Sequence, residues 1–265
     1  RSTQAKTLFP YTTLFRSVVV IDTGPSRRFG EQQRALIEKA TGKRVIRVYI
    51  THHHPDHFFG NQAFADLPIY ALPETIRGVQ REGETFSNNM YRLIGDWMRD
   101  TSVVAPNQEA KLGREVIGGH ELELLAFKGH TPADLAVFDH TTGVLFAGDL
   151  VFNQRAATTP HANIVDWLAS LEQLLKLPFK VLVPGHGKVT QNDQPIAQTR
   201  AYLVWLQTIL QQAAANGLDM NEVMATPIPA DFKEVALAQN ELNRSVAHLY
   251  PALEAEQLKP AKQAE

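Results

Sequence analysis

The chain has no cysteine among its 265 residues. That excludes disulfides, a cysteine nucleophile and any thiolate metal site. It also has no apolar run near the roughly 18–20 residues that a membrane-spanning helix needs, so no membrane partner is expected. Basic residues do not exceed acidic ones: 26 Lys+Arg stand against 28 Asp+Glu, a formal net charge of −2. A chain without positive excess is a poor match to broad nucleic-acid binding. Nor is it short of apolar residues, which make up 44% against 20% charged, with 16 Gly and 15 Pro. Disorder, collagen and coiled coil are set aside on that composition, and the length suits one large domain or two small ones.

What is present in excess is histidine. There are ten, and four of them fall in the six residues His52-His53-His54-Pro55-Asp56-His57. From Val18 onward strand and helix signals alternate. Strands are expected at 18–22, 45–51, 68–71, 121–127, 135–138, 144–147 and 181–183. Helices are expected at 31–40, 163–176 and from about Pro195 on. A helical turn is expected at 61–65, and 73–100 reads as a helical insertion. Four of the strands run into metal-binding residue types: His52, His54, Asp56 and His57, then His130, Asp149 and His186. Loops at sheet edges are where α/β folds place chemistry, because the sheet fixes the side chain while the loop exposes it. Imidazole with carboxylate suits zinc and neighbouring transition metals. Five His and two Asp are too many for one tetrahedral ion with an open position. They suit two ions sharing solvent, with zinc expected and manganese or iron as the other choices.

The HxHxDH string at 52–57, Gly129-His130-Thr131, Gly148-Asp149 and Pro184-Gly185-His186-Gly187, preceded by the strand VVVIDTG, resemble the metallo-β-lactamase superfamily. The resemblance implies a four-layer αββα sandwich over residues 18–190, followed by a helical C-terminal extension at 191–265 packed on the same domain. It implies that His52, His54 and His130 hold one ion, that Asp56, His57 and His186 hold the second, and that Asp149 bridges. It further implies a binuclear zinc hydrolase of a small-molecule acyl substrate (ester, thioester, lactone or amide), using a metal-bound hydroxide positioned by Asp56. β-Lactam hydrolysis is one alternative, made less natural by Asp rather than Cys or Ser at 149. A di-iron redox site or a non-catalytic metal-binding module are others. A narrower likeness, in VVVIDTGPSRRFGEQQRALI, THHHPDHFFGNQAF, GVLFAGDLVFN, VLVPGHG and RSVAHLYPALE, is to bacterial zinc metallohydrolases associated with quinoprotein dehydrogenases. It implies export to the periplasm.

Thr7 to Ser17 resembles a translated sequencing adapter, so residues 1–17 are expected to be non-native, with the native amino terminus lost; residues 18–265 alone carry a net charge of −5. Among the remaining candidates, Asp22 is expected to be structural, orienting groups behind the ligands or the turn before Gly24, and His53 to face away from its neighbours as a non-ligand. His120, His140 and His248 are read as non-ligands; so is His161, with lining of the pocket as its lesser reading. Phe58, Trp97 and Met98 fit either a pocket wall or the core.

Overall fold

The computed structural model describes residues 17–257; the adapter-like string at 7–17 therefore falls outside the described residues except for Ser17. The order is β1(Val18–Ile21), α1(Arg27–Thr41), β2(Val45–Tyr49), α2(Pro55–Phe58), β3(Ile69–Ala71), α3(Pro73–Ile94), β4(Gln108–Glu109), β5(Gly113–Ile117), β6(His120–Phe127), β7(Asp134–Asp139), β8(Val144–Phe152), α4(Ile164–Leu174), β9(Val181–His186), α5(Gln194–Ala215), α6(Met220–Met224) and α7(Ala238–Gln257). The result is a mixed α/β fold with two sheets, ordered β1-β2-β3-β4 and β5-β6-β7-β8-β9. No helix among the described residues is long and apolar enough to cross a membrane.

Two compact units are present. The first takes the chain up to Phe127 together with Ala133–Phe146; the second takes Lys128–Pro132 and everything from Ala147 onward. In the first unit, β1 to β4 are parallel. Alternate side chains of β1 enter different cores. Val18 and Val20 pack with Val48, Ile50 and Ile69 against Ile37 of α1 and Val79 and Met90 of α3. Val19 and Ile21 join Tyr49 and Tyr70 against Leu122, Leu124, Leu135 and Val137 of β6 and β7. A strand with apolar neighbours on both faces has no polar positions to alternate with, which is why it reads as the unbroken run VVVI. Phe58 and Met98 are core residues, whereas Trp97 stays partly exposed, with the Arg28 guanidinium 4.5 Å above its ring.

The expected elements are present, but β9 runs on to His186, the helical stretch from Pro195 divides into three helices, and other bounds differ. Helix α1 begins at Arg27, four residues before the expected start, because the Ser26 side chain caps it by accepting from the Phe29 N–H; Gly30 is needed there, since a Cβ would lie 2.5 Å from the Gly60 carbonyl oxygen. Strands β4 and β5 carry no strand signal, one being two polar residues and the other GREVI, whose Arg114 and Val116 are exposed. Strand β8 runs on to Phe152, so Asp149 lies within the strand.

In the second unit the end of β8 is packed by α4, whose Trp167 is fully buried and donates its indole N–H to the Leu150 carbonyl at 2.9 Å. Helices α5 and α7 bury Tyr202, Leu206, Leu242, Val246 and Tyr250.

Candidate metal centre

In the first unit the candidate donors come from one short stretch. After β2 the chain passes through Thr51 to His52, His53 and His54. Pro55 then opens α2 at its first position, with His54 as the cap residue. Proline is tolerated there because its missing N–H has no intrahelical acceptor. The turn that follows delivers Asp56 and His57. The His52 ring centroid lies 4.8 Å from that of His54 and 4.2 Å from that of His57. All three rings are buried, while the Asp56 side chain keeps 38% exposure and its Oδ2 lies 3.6 Å from His57 Nε2. Three imidazoles this close and this dry are expensive unless they share a cation or a proton.

Asp22 holds this group. Its Oδ1 accepts from the Thr51 backbone N–H and its Oδ2 from the Thr51 hydroxyl, each at 2.8 Å. Oδ2 also lies 2.7 Å from His57 Nδ1. A carboxylate only accepts, so His57 carries its proton on Nδ1 and presents a lone pair at Nε2. The Thr51 hydroxyl proton is given to Asp22, so its oxygen accepts from His52 Nδ1 at 2.9 Å, and His52 is set in the same tautomer. Asp22 takes φ 60° to do this, a left-handed conformation that Asp adopts more readily than most residues.

His53 does not turn away from its neighbours as alternation led one to expect: its ring centroid lies 5.2 Å from that of His54, and the two belong to one group of side chains able to hold an ion. It is buried against α3, where a Cβ on Gly78 would lie 2.8 Å from its ring, and its Nε2 is 3.9 Å from Glu82 Oε2. His120 and His140 pair with Asp139 and Glu123, each at 2.6 Å; these pairs serve the β6–β7 hairpin.

In the second unit the donors come from three separated places, and glycine makes each approach possible. Gly129 sits at φ 134°, where a Cβ would lie 2.2 Å from Trp167 Cα. This brings His130, fully buried, edge-on to the Trp167 ring at 4.9 Å. Asp149 on β8 is buried; its Oδ2 is 3.4 Å from His130 Nε2 and 3.3 Å from His186 Nε2. Gly185 lets β9 come close, since a Cβ there would lie 1.9 Å from Asp149 Oδ1. The His186 ring then stacks on Phe152 at 5.3 Å and 17°. A carboxylate oxygen between two imidazole nitrogens is the donor chemistry of a borderline divalent cation.

The sequence-derived residues thus form two sets: His52, His54, Asp56 and His57 in the first unit, and His130, Asp149 and His186 in the second. The supports Thr51, Phe152 and Trp167 were not singled out from sequence as holding ligands. Trp167 is visible there only as one apolar position of a helix, and nothing in the letters Thr51 or Phe152 distinguishes them.

Comparisons with known proteins bear on the family and the fold. The profile of the metallo-beta-lactamase superfamily matches residues 7–186. The chain is 25% identical over 159 residues to acyl-coenzyme A thioesterase MBLAC2 of Gallus gallus, covering 55% of this chain and 57% of that protein. It is 24% identical over 236 residues to atrochrysone carboxyl ACP thioesterase of Aspergillus fumigatus, covering 82% of this chain and 67% of that protein. The chain thus spans little more than half the length of the chicken relative. Among solved structures, a metallo-beta-lactamase from Pontibacter korlensis superposes with a TM-score of 0.59 at 24% identity, covering 72% of this chain and 84% of that one; this likeness speaks for the fold. With the profile running across both donor sets, the chain belongs to the metallo-beta-lactamase superfamily of hydrolases.

Proposed function

We propose that the chain is a binuclear, zinc-dependent hydrolase that cleaves an acyl carbonyl compound, with a thioester as the favoured substrate ahead of ester, lactone or amide. In this reading His52, His54 and His130 would hold one ion and Asp56, His57 and His186 the other, with Asp149 shared between them. The observation that carries it is Asp149, whose Oδ2 lies within 3.4 Å of the Nε2 atoms of both His130 and His186. The fit is supported by the tautomers that Asp22 and Thr51 impose, which turn Nε2 of His52 and His57 into lone-pair donors. Zinc, when bound, supplies Lewis acidity and brings the pKa of bound water to about 7. Asp56, partly exposed beside His57, accepts a proton from the attacking water and returns it to the leaving group. Asp22 stays hydrogen-bonded to His57 throughout and keeps the ring from turning.

The thioester preference rests on the two relatives, both named as thioesterases. Within the superfamily we place the chain beside the quinoprotein-associated metallohydrolases, on the strings THHHPDHFFGNQAF and GVLFAGDLVFN, and export to the periplasm goes with that placement.

The test is turnover by the zinc-loaded protein of an acyl-coenzyme A, a lactone, a nitrophenyl ester and a chromogenic cephalosporin, with and without chelator. Chelator-sensitive thioester cleavage with kcat/KM of about 10⁴ M⁻¹s⁻¹ or more is expected, which is ordinary enzyme efficiency. Cephalosporin turnover above thioester turnover would make the chain a β-lactamase instead. Absence of all four from protein holding two zinc equivalents would overturn the hydrolase reading.

A further inference from the structure

The superfamily profile stops at His186, and three helices follow. In the second unit they grip the segment that leaves β8. The Ala156 N–H donates to the Ala236 carbonyl at 2.9 Å, and the Ala236 N–H to the Gln154 carbonyl at 3.1 Å. The Thr159 hydroxyl donates to Ser245 Oγ of α7 at 2.7 Å. Between these anchors stands Glu241 of α7, only 4% exposed. Its Oε1 lies 3.1 Å from the donating Thr158 hydroxyl and 3.4 Å from Arg155 Nη2, with Arg244 Nη1 at 3.8 Å. Burial pushes the carboxyl of Glu241 above the usual range, against the opposing pull of Arg244, Arg155 and the Thr158 hydroxyl.

A buried carboxylate is a poor way to gain stability, because desolvation offsets the attraction of its partners, and an apolar residue of similar size commonly does as well. What this ion pair does accomplish is orientation. The Arg155 guanidinium lies over the Phe152 ring, 5.6 Å from its centroid. That same ring stacks on the His186 imidazole. A contact therefore runs from α7 to a metal donor: Glu241 to Arg155 to Phe152 to His186.

We infer that Glu241 is a positioning residue for His186, acting through Arg155 and Phe152 to fix the plane in which the imidazole presents Nε2 to Asp149. The inference deepens the reading given under Proposed function and rests on it in so far as His186 is a metal donor. It makes the C-terminal helices part of the hydrolytic unit.

The experiment compares the full-length wild type with Glu241→Ala, Glu241→Gln, Arg155→Met and Ser245→Ala. Two quantities are read: the ring carbon–proton NMR resonances of His186 in metal-free protein, and zinc affinity by competition with a chromophoric chelator. Glu241→Ala should move the His186 resonances, because the ring current of Phe152 changes with its tilt, and should weaken the more loosely held zinc about 10-fold, the lower end for losing an outer support of a ligand. Glu241→Gln keeps an oxygen at the Oε1 position and should recover most of both. Arg155→Met, which keeps apolar contact with the ring, should match Glu241→Ala, and the double variant should be no worse than either single one. Ser245→Ala loses a buried hydrogen bond in the same clamp and should leave both readouts at wild-type values.

Unmoved His186 resonances and unchanged zinc affinity in folded Glu241→Ala and Arg155→Met would overturn the inference, as would equal shifts in Ser245→Ala. A wild type that takes up no zinc, yet whose His186 resonances move with Glu241 and Arg155 but not Ser245, would leave the positioning role standing and overturn the metal reading.

Discussion

The two sets of candidate donors are built by different physics. In the first unit, His52, His54, Asp56 and His57 are neighbours in sequence, and hydrogen bonds accepted by Asp22 and Thr51 set two of the rings. In the second unit, His130, Asp149 and His186 come from distant parts of the chain, and close packing aims them: Gly129 on Trp167, Gly185 on Asp149, Phe152 on His186. A hydrogen bond fixes which nitrogen carries the proton. Packing fixes where the ring lies. The first set should therefore fail chemically when damaged, keeping its shape, and the second should fail structurally.

The largest break is expected from Trp167→Ala. Removing this fully buried side chain should cost about 3–5 kcal/mol, and denaturant unfolding should show it as a lower midpoint together with lost zinc in the metal analysis. Gly185→Ala comes next. A Cβ 1.9 Å from Asp149 Oδ1 and 2.7 Å from the Gly148 carbonyl carbon meets backbone as well as a carboxylate, so about 1–3 kcal/mol is expected from overpacking; the thermal midpoint should fall and bound zinc should drop below two equivalents. Asp22→Asn should behave in the opposite sense. Its near-identical shape should keep the fold, with far-ultraviolet circular dichroism and the unfolding midpoint little changed. Zinc affinity should fall about 10–100-fold because His57 loses its proton acceptor. A large stability loss in Asp22→Asn with normal zinc binding would erase the contrast.

The smallest effect is expected at the surface of the first unit. Asp66 meets Arg34 in a two-pronged pair at 2.6 and 2.9 Å, and that guanidinium holds its carboxyl below the usual carboxylate range. A depressed carboxyl stabilises the fold above its unfolded pKa, and the contribution is lost as pH falls through the folded value. Asp66 is largely exposed, so Asp66→Asn should cost only about 0.5 kcal/mol at pH 7. The gap from wild type should close in acid and shrink in high salt, and urea titrations at two pH values measure it.

Legibility in the sequence followed the same division. All seven candidate donors can be picked out of the sequence as candidates, because histidine and aspartate beside apolar runs are rare enough to stand out, although Asp149 lies within β8 and not at its end. Asp22 stands out as the polar end of an apolar strand, but only as a structural residue; that it bonds a candidate donor, His57, directly depends on a contact 35 residues away that no local pattern records. The supports of the second set do not stand out. Phe152 and Trp167 are ordinary apolar letters whose partners, His186 and Gly129, lie far off in sequence. The fold was legible where apolar runs were long, as in VVVI. It was missed at β4 and β5, where pairing through the backbone leaves polar side chains free to be anything, and at the start of α1, where a single serine hydroxyl adds a turn of helix.

Position 22 illustrates how narrowly such a site can be written. The backbone there accepts glycine, asparagine or aspartate with least strain, while the two histidine-and-threonine partners require an anion. Glycine and asparagine satisfy the first demand and fail the second; glutamate does the reverse. A saturation library screened for activity should therefore return a single letter at residue 22, and a homologue with any other residue there should carry a compensating change at Thr51 or His57.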